Sequence, residues 1–190
     1  VNRPDGVQTN YVSYDKLNYG ASGYVDQVIV TENRDSTRKC RIRIRKEKIA
    51  GIGDKFATRT GQKGMCGMVL EQKDMPFTEQ GIVPDIIINP HAFPSRMTMN
   101  YFLEMILGKV CCETGYHGDA TPFQNRSPYD YMSLLESVGY ERHGEDVMYS
   151  GITGEQIKTS IFFGPCYYQR LKIMVADKMH SRSTGPLQSF

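Results

Sequence analysis

The sequence predicts an α+β fold, in which short strands and helices occupy separate stretches of the chain. Near the start, apolar Cys40, Ile42 and Ile44 alternate with arginines, and this period of two predicts a strand. In the middle of the chain, apolar residues recur at intervals of three and four, which predicts an amphipathic helix. The sequence shows no internal repeats, low-complexity tracts or heptads, so it does not indicate a repeat architecture or a coiled coil.

The first predicted elements form a hairpin. Residues 23–31 and 39–49 have the β-branched content of strands, and the polar residues 32–37 between them predict a turn. The second strand is expected to turn its apolar face to the core and its basic face outward. The basic face carries Arg41, Arg43 and Arg45. Those guanidinium groups fit a nucleic-acid channel, a solvated strand face or a subunit interface, and the sequence does not decide between them.

The later elements follow from turn signals and apolar spacing. We predict a loop at 50–67, strands at 68–70, 85–89, 147–149 and 156–163, and helices at 98–115, 129–138 and from 165 to about 178. Thr98 is the predicted N-cap of the first helix, and Gly115 is its predicted stop. The stripe that this helix would bury consists of Phe102, Met105, Ile106 and Val110.

Composition narrows the function classes. The 190 residues carry a formal net charge of only +2, which does not indicate a free-standing nucleic-acid binder. Basic residues are concentrated between residues 38 and 63, as in a protein that contacts nucleic acid on one face. The five cysteines lack Cys-x2-Cys spacing, so we predict neither a zinc site nor a disulfide framework. No apolar run reaches the length of about 18 residues that a membrane span needs.

The glycine-rich loop carries the most specific chemistry. Lys55, Arg59 and Lys63 place three cations within a segment whose glycines allow close approach of a ligand. This pattern indicates phosphate binding, although a solvated basic turn explains it equally well on chemistry alone. The loop lacks the Walker A pattern. Asp54 either orders the loop by hydrogen bonds to its backbone or acts as an ordinary turn residue.

Several blocks of the chain also follow one another in a specific order. They include Gly-Asp-Lys-Phe-Ala-Thr-Arg at 53–59, Gly-Gln-Lys-Gly at 61–64, Asp-Met-Pro-Phe-Thr at 74–78, the segments 81–98 and 162–171, Gly-Asp-Ala-Thr-Pro-Phe at 118–123, and Lys-Met-His-Ser-Arg at 178–182. From about residue 20 onward, the chain thereby resembles the second-largest subunit of multisubunit DNA-directed RNA polymerase. The block at 118–123 is similar to the RNA polymerase II type, and large DNA viruses carry similar subunits.

The resemblance implies a fold and a domain organisation. Residues 23–190 would form the hybrid-binding region of the catalytic core, with the lysine loop in a β-barrel of the double-psi type. This region would be incomplete relative to the full subunit, and the first residue, Val1, likewise leads us to expect part of a longer product. Residues 1–22 are rich in Asn, Tyr, Gly and Ser, which predicts an irregular N-terminal segment.

The resemblance also implies roles for individual residues. Lys55 and Lys63 would neutralise phosphate charge beside the RNA 3′ end and the incoming nucleotide, and Arg96 would reach the nucleotide's terminal phosphates. Gln62, Arg59 and His180 are the expected nucleic-acid contacts. The principal Mg²⁺ would be held by the largest subunit, because no Asp-x-Asp-Gly-Asp-like cluster occurs in this sequence.

The implied activity is template-directed RNA synthesis from nucleoside triphosphates, within a complex in the nucleus, or in a virion or viral factory if the source is a virus. The implied partners are the largest subunit and other polymerase subunits, the DNA template, the RNA transcript and nucleoside triphosphates. Two alternatives stay open: a non-catalytic scaffold fragment that binds the largest subunit, and a stand-alone RNA-binding protein. Salt-sensitive RNA binding by the free chain would favour the second alternative.

Overall fold

The computed structural model describes residues 22–32, 34, 38–124 and 127–188. Residues 1–21 of the predicted irregular segment therefore lie outside the described residues. The described chain combines helices with small antiparallel sheets, which confirms the α+β class.

The chain divides into two compact units, Val1–Ile49 and Ala50–Phe190. In the first unit, β1 (Tyr24–Glu32) pairs antiparallel with β2 (Arg38–Arg45), which confirms the predicted hairpin. The predicted burial of its apolar face is wrong for this unit, because Val28 is 54% exposed and its partner Ile42 is 58% exposed. A two-stranded ribbon has no second layer, and no other described element of the unit covers it.

Besides two short 3₁₀ turns, the second unit contains ten strands and α-helices among its described residues. They are β3 (Lys55–Thr58), β4 (Lys63–Met65), β5 (Phe77–Thr78), α1 (Ala92–Arg96), α2 (Met99–Thr114), α3 (Pro128–Ser137), β6 (Glu145–Asp146), β7 (Met148–Tyr149), β8 (Ile161–Phe162) and β9 (Tyr168–Arg170). The strands form a three-stranded sheet of order β4-β3-β9 and two pairs, β5-β7 and β6-β8. Among the described residues, none of the helices combines the length and the apolar character needed to cross a bilayer.

The core of this unit lies between α2 and α3. Val110 on α2 and Leu135 on α3 are 1% and 0% exposed, and Ile106 joins them. Helix α2 begins after Thr98 as predicted, and it ends at Gly115, whose φ of 69° is the left-handed conformation that glycine adopts without strain. Both helices and most of the predicted buried stripe are therefore confirmed.

Three local predictions are wrong. The predicted loop at 50–67 contains β3 and β4, and no strand forms at 68–70 or 85–89. The helix predicted after residue 165 is instead β9 followed by a 3₁₀ turn at Val175–Asp177. Strand β9 forms because it pairs with β3, where Phe56 lies opposite Arg170. Such pairing depends on residues distant in sequence, so the local pattern did not reveal it.

Candidate functional site

Strands β3 and β4 place two lysines on one face of the sheet. Lys63 lies opposite Ala57, and Ala57 is two residues after Lys55, so all three side chains point to the same side. Diagonal neighbours of this kind have Cα atoms about 7–8 Å apart. Lys55 is half-buried and Lys63 is exposed. Within the described ranges neither ammonium group forms an ion pair, so both charges are available to a ligand.

Strands β3 and β4, which carry Lys55 and Lys63, form the lysine hairpin. The side chain of Gln62 connects this lysine hairpin to Arg96. The Nη1 atom of Arg96, the last residue of α1, donates a hydrogen bond of 3.0 Å to Oε1 of Gln62. The Nε2 atom of Gln62 donates to the hydroxyl of Thr98. Because Gln62 directly precedes Lys63, the structure brings the distant arginine to the strand that carries the second lysine.

A buried carboxylate anchors the start of β3. Asp54 is 4% exposed and accepts hydrogen bonds from the backbone N–H of Val175 and of Gly51, both at 3.1 Å. It also forms a salt bridge with Arg170 on β9. These contacts go beyond a local turn and tie the lysine strand to β9 and to the 3₁₀ turn.

Gly53 makes this anchor possible. Its φ is +90°, and a Cβ atom at this position would collide with the Val175 side chain. A close approach of backbone and side chain at positive φ requires glycine. The residue thus allows Val175 to come near enough for its N–H to reach Asp54.

The anchor should make stability depend on pH. The hydrogen bonds from Val175 and Gly51, together with Arg170, hold the pKa of Asp54 below its ordinary value. A lowered folded-state pKa stabilises the fold above the unfolded pKa of about 4, and this contribution is lost as the pH falls through the folded pKa. We expect Asp54→Asn to lower the unfolding free energy at pH 7 and to lose less stability than the native chain on acidification. Urea unfolding at pH 7 and at pH 3 measures both effects; equal acid sensitivity of the two chains would contradict the expectation.

Two other predicted nucleic-acid contacts occupy different surroundings. Arg59 is paired with Glu104 of α2 at 2.6 Å, and its guanidinium lies 4.9 Å from the centre of the Tyr167 ring. The carboxylate of Glu104 raises the pKa of Arg59. His180 is exposed in the irregular segment after the last 3₁₀ turn and forms no ion pair within the described ranges. Contact of either residue with nucleic acid stays a prediction.

The part of the chain that the structure describes offers few groups for metal binding or for thiol chemistry. No group of three or more His, Cys, Asp or Glu side chains there could hold a metal ion. The cysteines are free, and burial raises the pKa of the Cys166 thiol, which disfavours the reactive thiolate.

Sequence reasoning missed the residues that position the cations. Arg170 pairs with Asp54, and Glu104 pairs with Arg59, across 116 and 45 positions of sequence. Thr98 was predicted only as a helix cap, yet its side chain makes no capping bond and accepts from Gln62. A salt bridge or amide contact at such separation has no local pattern, so no signal in a single sequence would have revealed these partners.

The comparison with protein families decides the relationship. A family model described as RNA polymerase Rpb2, domain 6, matches residues 4–190. The chain belongs to this family. The predicted likeness to the second-largest polymerase subunit is thereby confirmed, and the matched range spans the candidate site.

Individual relatives of the Rpb2 family agree. DNA-directed RNA polymerase II subunit RPB2 of Encephalitozoon cuniculi is 53% identical over 167 residues, which cover 88% of this chain and 14% of the relative. RNA polymerase II subunit 2 of Arabidopsis thaliana is 47% identical over 186 residues, or 96% of this chain and 16% of the relative. DNA-directed RNA polymerase subunit 2 of Acanthamoeba polyphaga mimivirus is 47% identical over 166 residues, or 87% of this chain and 14% of the relative. The chain thus spans about one seventh of the length of these curated relatives.

Proposed function

We propose that this chain supplies phosphate-binding cations to the active centre of a DNA-directed RNA polymerase. Two observations carry the proposal: Lys55 and Lys63 share one face of the β3-β4 pair, and Arg96 is hydrogen-bonded to Gln62, the residue before Lys63. None of the three cations has a carboxylate partner among the described residues. The buried amide of Gln62 connects Arg96 to the turn between the two strands that carry the lysines. Membership of the Rpb2 family supports the assignment.

The proposed reaction is template-directed addition of a nucleoside monophosphate to the RNA 3′ end. The 3′ oxygen attacks the α-phosphorus of a nucleoside triphosphate, a new P–O bond forms, and pyrophosphate leaves. Proteins catalyse phosphoryl transfer mainly by positioning and by stabilising charge. Lys55 and Lys63 would stabilise negative charge near the RNA end, and Arg96 would bind the terminal phosphates. Arg59 and His180 would contact nucleic acid nearby.

Mg²⁺ would supply Lewis-acid chemistry in this reaction. The described residues offer no cluster of metal ligands, so the ion would be held by the largest subunit rather than by this chain. The role left to this chain is to bind and orient phosphate groups through its ammonium and guanidinium groups.

The same proposal implies a larger fold, binding partners and a cellular location. The β4-β3-β9 sheet would be part of a double-psi β-barrel that faces the largest subunit, with the remaining strands contributed by the longer protein. The other partners would be further polymerase subunits, template DNA, transcript RNA and nucleoside triphosphates. The complex would act in the nucleus, or in a virion or viral factory if the source is a virus; the eukaryotic and viral relatives are compatible with either location.

Arg96→Ala tests the proposal in an assembled polymerase whose full-length second subunit carries these residues. Because Arg96 would bind terminal phosphates before and during the reaction, we expect the KM for nucleoside triphosphate to rise roughly tenfold or more, with a smaller change in kcat. Single-nucleotide addition kinetics measure both constants. Arg142→Ala, which removes an exposed arginine in the turn between α3 and β6, is the matched control and should leave KM unchanged. An unchanged KM for Arg96→Ala with intact assembly would instead favour the scaffold alternative.

A further inference from the structure

We infer that Gln62 is a positioning residue that fixes the guanidinium of Arg96, rather than a residue that binds RNA with its own side chain. The inference deepens the proposed function and rests on it, because Arg96 matters only if it meets phosphate. It also changes the role expected for Gln62, which the family resemblance placed near the RNA backbone.

The side chain of Gln62 is committed to partners within the chain. The residue is only 8% exposed, and both ends of its amide form hydrogen bonds. A guanidinium can only donate, so its partner at 3.0 Å must be the amide oxygen of Gln62. The amide nitrogen is then left to donate to the hydroxyl of Thr98. One orientation of the amide therefore satisfies both contacts.

The backbone around Gln62 is held as well. Its N–H donates to the hydroxyl of Thr58 at 3.2 Å, and its carbonyl accepts from the N–H of Thr58 at 3.1 Å. These bonds fix the turn between β3 and β4 on both sides of the amide. A side chain that projects from a fixed turn can locate a second group with little loss of entropy on binding.

The chain on the Arg96 side is shaped to meet this amide. Met97 follows Arg96 with a φ of 51°, a left-handed conformation that is uncommon for a residue other than glycine. This conformation ends α1 and turns the chain so that one amide reaches both Arg96 and Thr98. Backbone strain of this kind is typical of positions that the surrounding structure over-determines.

The chemistry of the partner is also significant. A carboxylate would hold the guanidinium more strongly, but it would neutralise the charge that has to attract phosphate. An amide orients the guanidinium and leaves its positive charge intact. Gln62 therefore holds the Arg96 guanidinium in place for an anionic ligand without neutralising its positive charge.

A double-mutant cycle in the assembled polymerase tests the inference. We expect Gln62→Ala to raise the KM for nucleoside triphosphate roughly five- to tenfold, and to cause no further increase in an enzyme that already carries Arg96→Ala. Gln62→Glu keeps the acceptor but neutralises the guanidinium, so it should also raise KM. Thr98→Val removes the hydroxyl that anchors the amide and should raise KM by a smaller factor than Gln62→Ala. Thr98→Ser keeps a hydroxyl and should leave KM near its native value.

Two results would overturn the inference. One is that Gln62→Ala raises KM by the same factor in the native enzyme and in the Arg96→Ala enzyme. The other is that Gln62→Ala weakens the retention of RNA and leaves KM unchanged, which would mean that Gln62 binds RNA directly. A cryo-electron microscopy structure of the Gln62→Ala enzyme separates this inference from the proposed function. If the Arg96 guanidinium is displaced in this structure, the positioning role is supported. An unchanged KM for Arg96→Ala would then refute only the phosphate-binding function. A guanidinium that stays in place refutes the positioning role.

Discussion

Lys63→Ala is expected to slow nucleotide addition by about 10²–10³-fold in the assembled polymerase, with assembly intact. Lys63 is exposed and shares a face of the sheet with Lys55. If it meets charge that develops during phosphoryl transfer, its loss lowers kcat more than it raises KM. The difference from Arg96→Ala is therefore diagnostic: the lysine acts on the rate, and the arginine acts on binding.

The chain offers a matched control for this experiment. Lys73 is 72% exposed and already paired with Glu71, so Lys73→Ala removes one positive charge without touching the lysine hairpin. We expect it to leave kcat unchanged. Lys63→Arg keeps the charge but replaces a compact ammonium by a planar group, so it should recover the rate only in part. Rapid-quench kinetics of a single addition would measure all three variants, and a normal rate for Lys63→Ala would refute the role assigned to this lysine.

The second large effect concerns stability. Lys109 is only 7% exposed, and its ammonium lies 2.5 Å from Asp146 and 4.4 Å from the centre of the Tyr140 ring. Asp146→Ala would leave this buried ammonium without its carboxylate. Removing one partner of a buried ion pair costs about 3–5 kcal/mol of unfolding free energy, because the remaining charge stays desolvated. Chemical denaturation of the 190-residue chain at pH 7 measures this loss.

Two further variants distinguish the buried pair from an ordinary one. Combining Asp146→Ala with Lys109→Met removes both charges and should recover most of the lost stability. Glu71→Ala breaks the exposed pair with Lys73 and should cost no more than about 1 kcal/mol. A loss below about 1 kcal/mol for Asp146→Ala would show that the ammonium finds water or another acceptor.

Regular helices were the most predictable part of this fold. The stripe of Met105, Ile106 and Val110 and the stop at Gly115 placed α2 correctly, because helical hydrogen bonds and side-chain spacing are local. The same stripe could not include Lys109, since a lysine is buried only when a partner such as Asp146 is brought to it. The hairpin was also predictable from its alternation, but the exposure of both of its faces was not.

The short strands were the least predictable part. Strand β9 was mistaken for a helix because its residues become a strand only by pairing with β3, more than a hundred positions earlier. The candidate site shows the same division. Its cations were recognised from their residue types and from the family resemblance, whereas the partners Asp54–Arg170 and Gln62–Arg96 emerged only in three dimensions.

The amino-acid sequence by itself determined the α+β class, the hairpin, the two longer helices and the family, because each of these depends on local periodicity or on ordered motifs. Only the tertiary structure decided that Lys55 and Lys63 share one face, that the buried amide of Gln62 holds Arg96, and that Asp54 anchors the strand that begins with Lys55. The physical reason is that strand register and long-range hydrogen bonds depend on which distant groups meet, and one side chain's chemistry does not specify its partner.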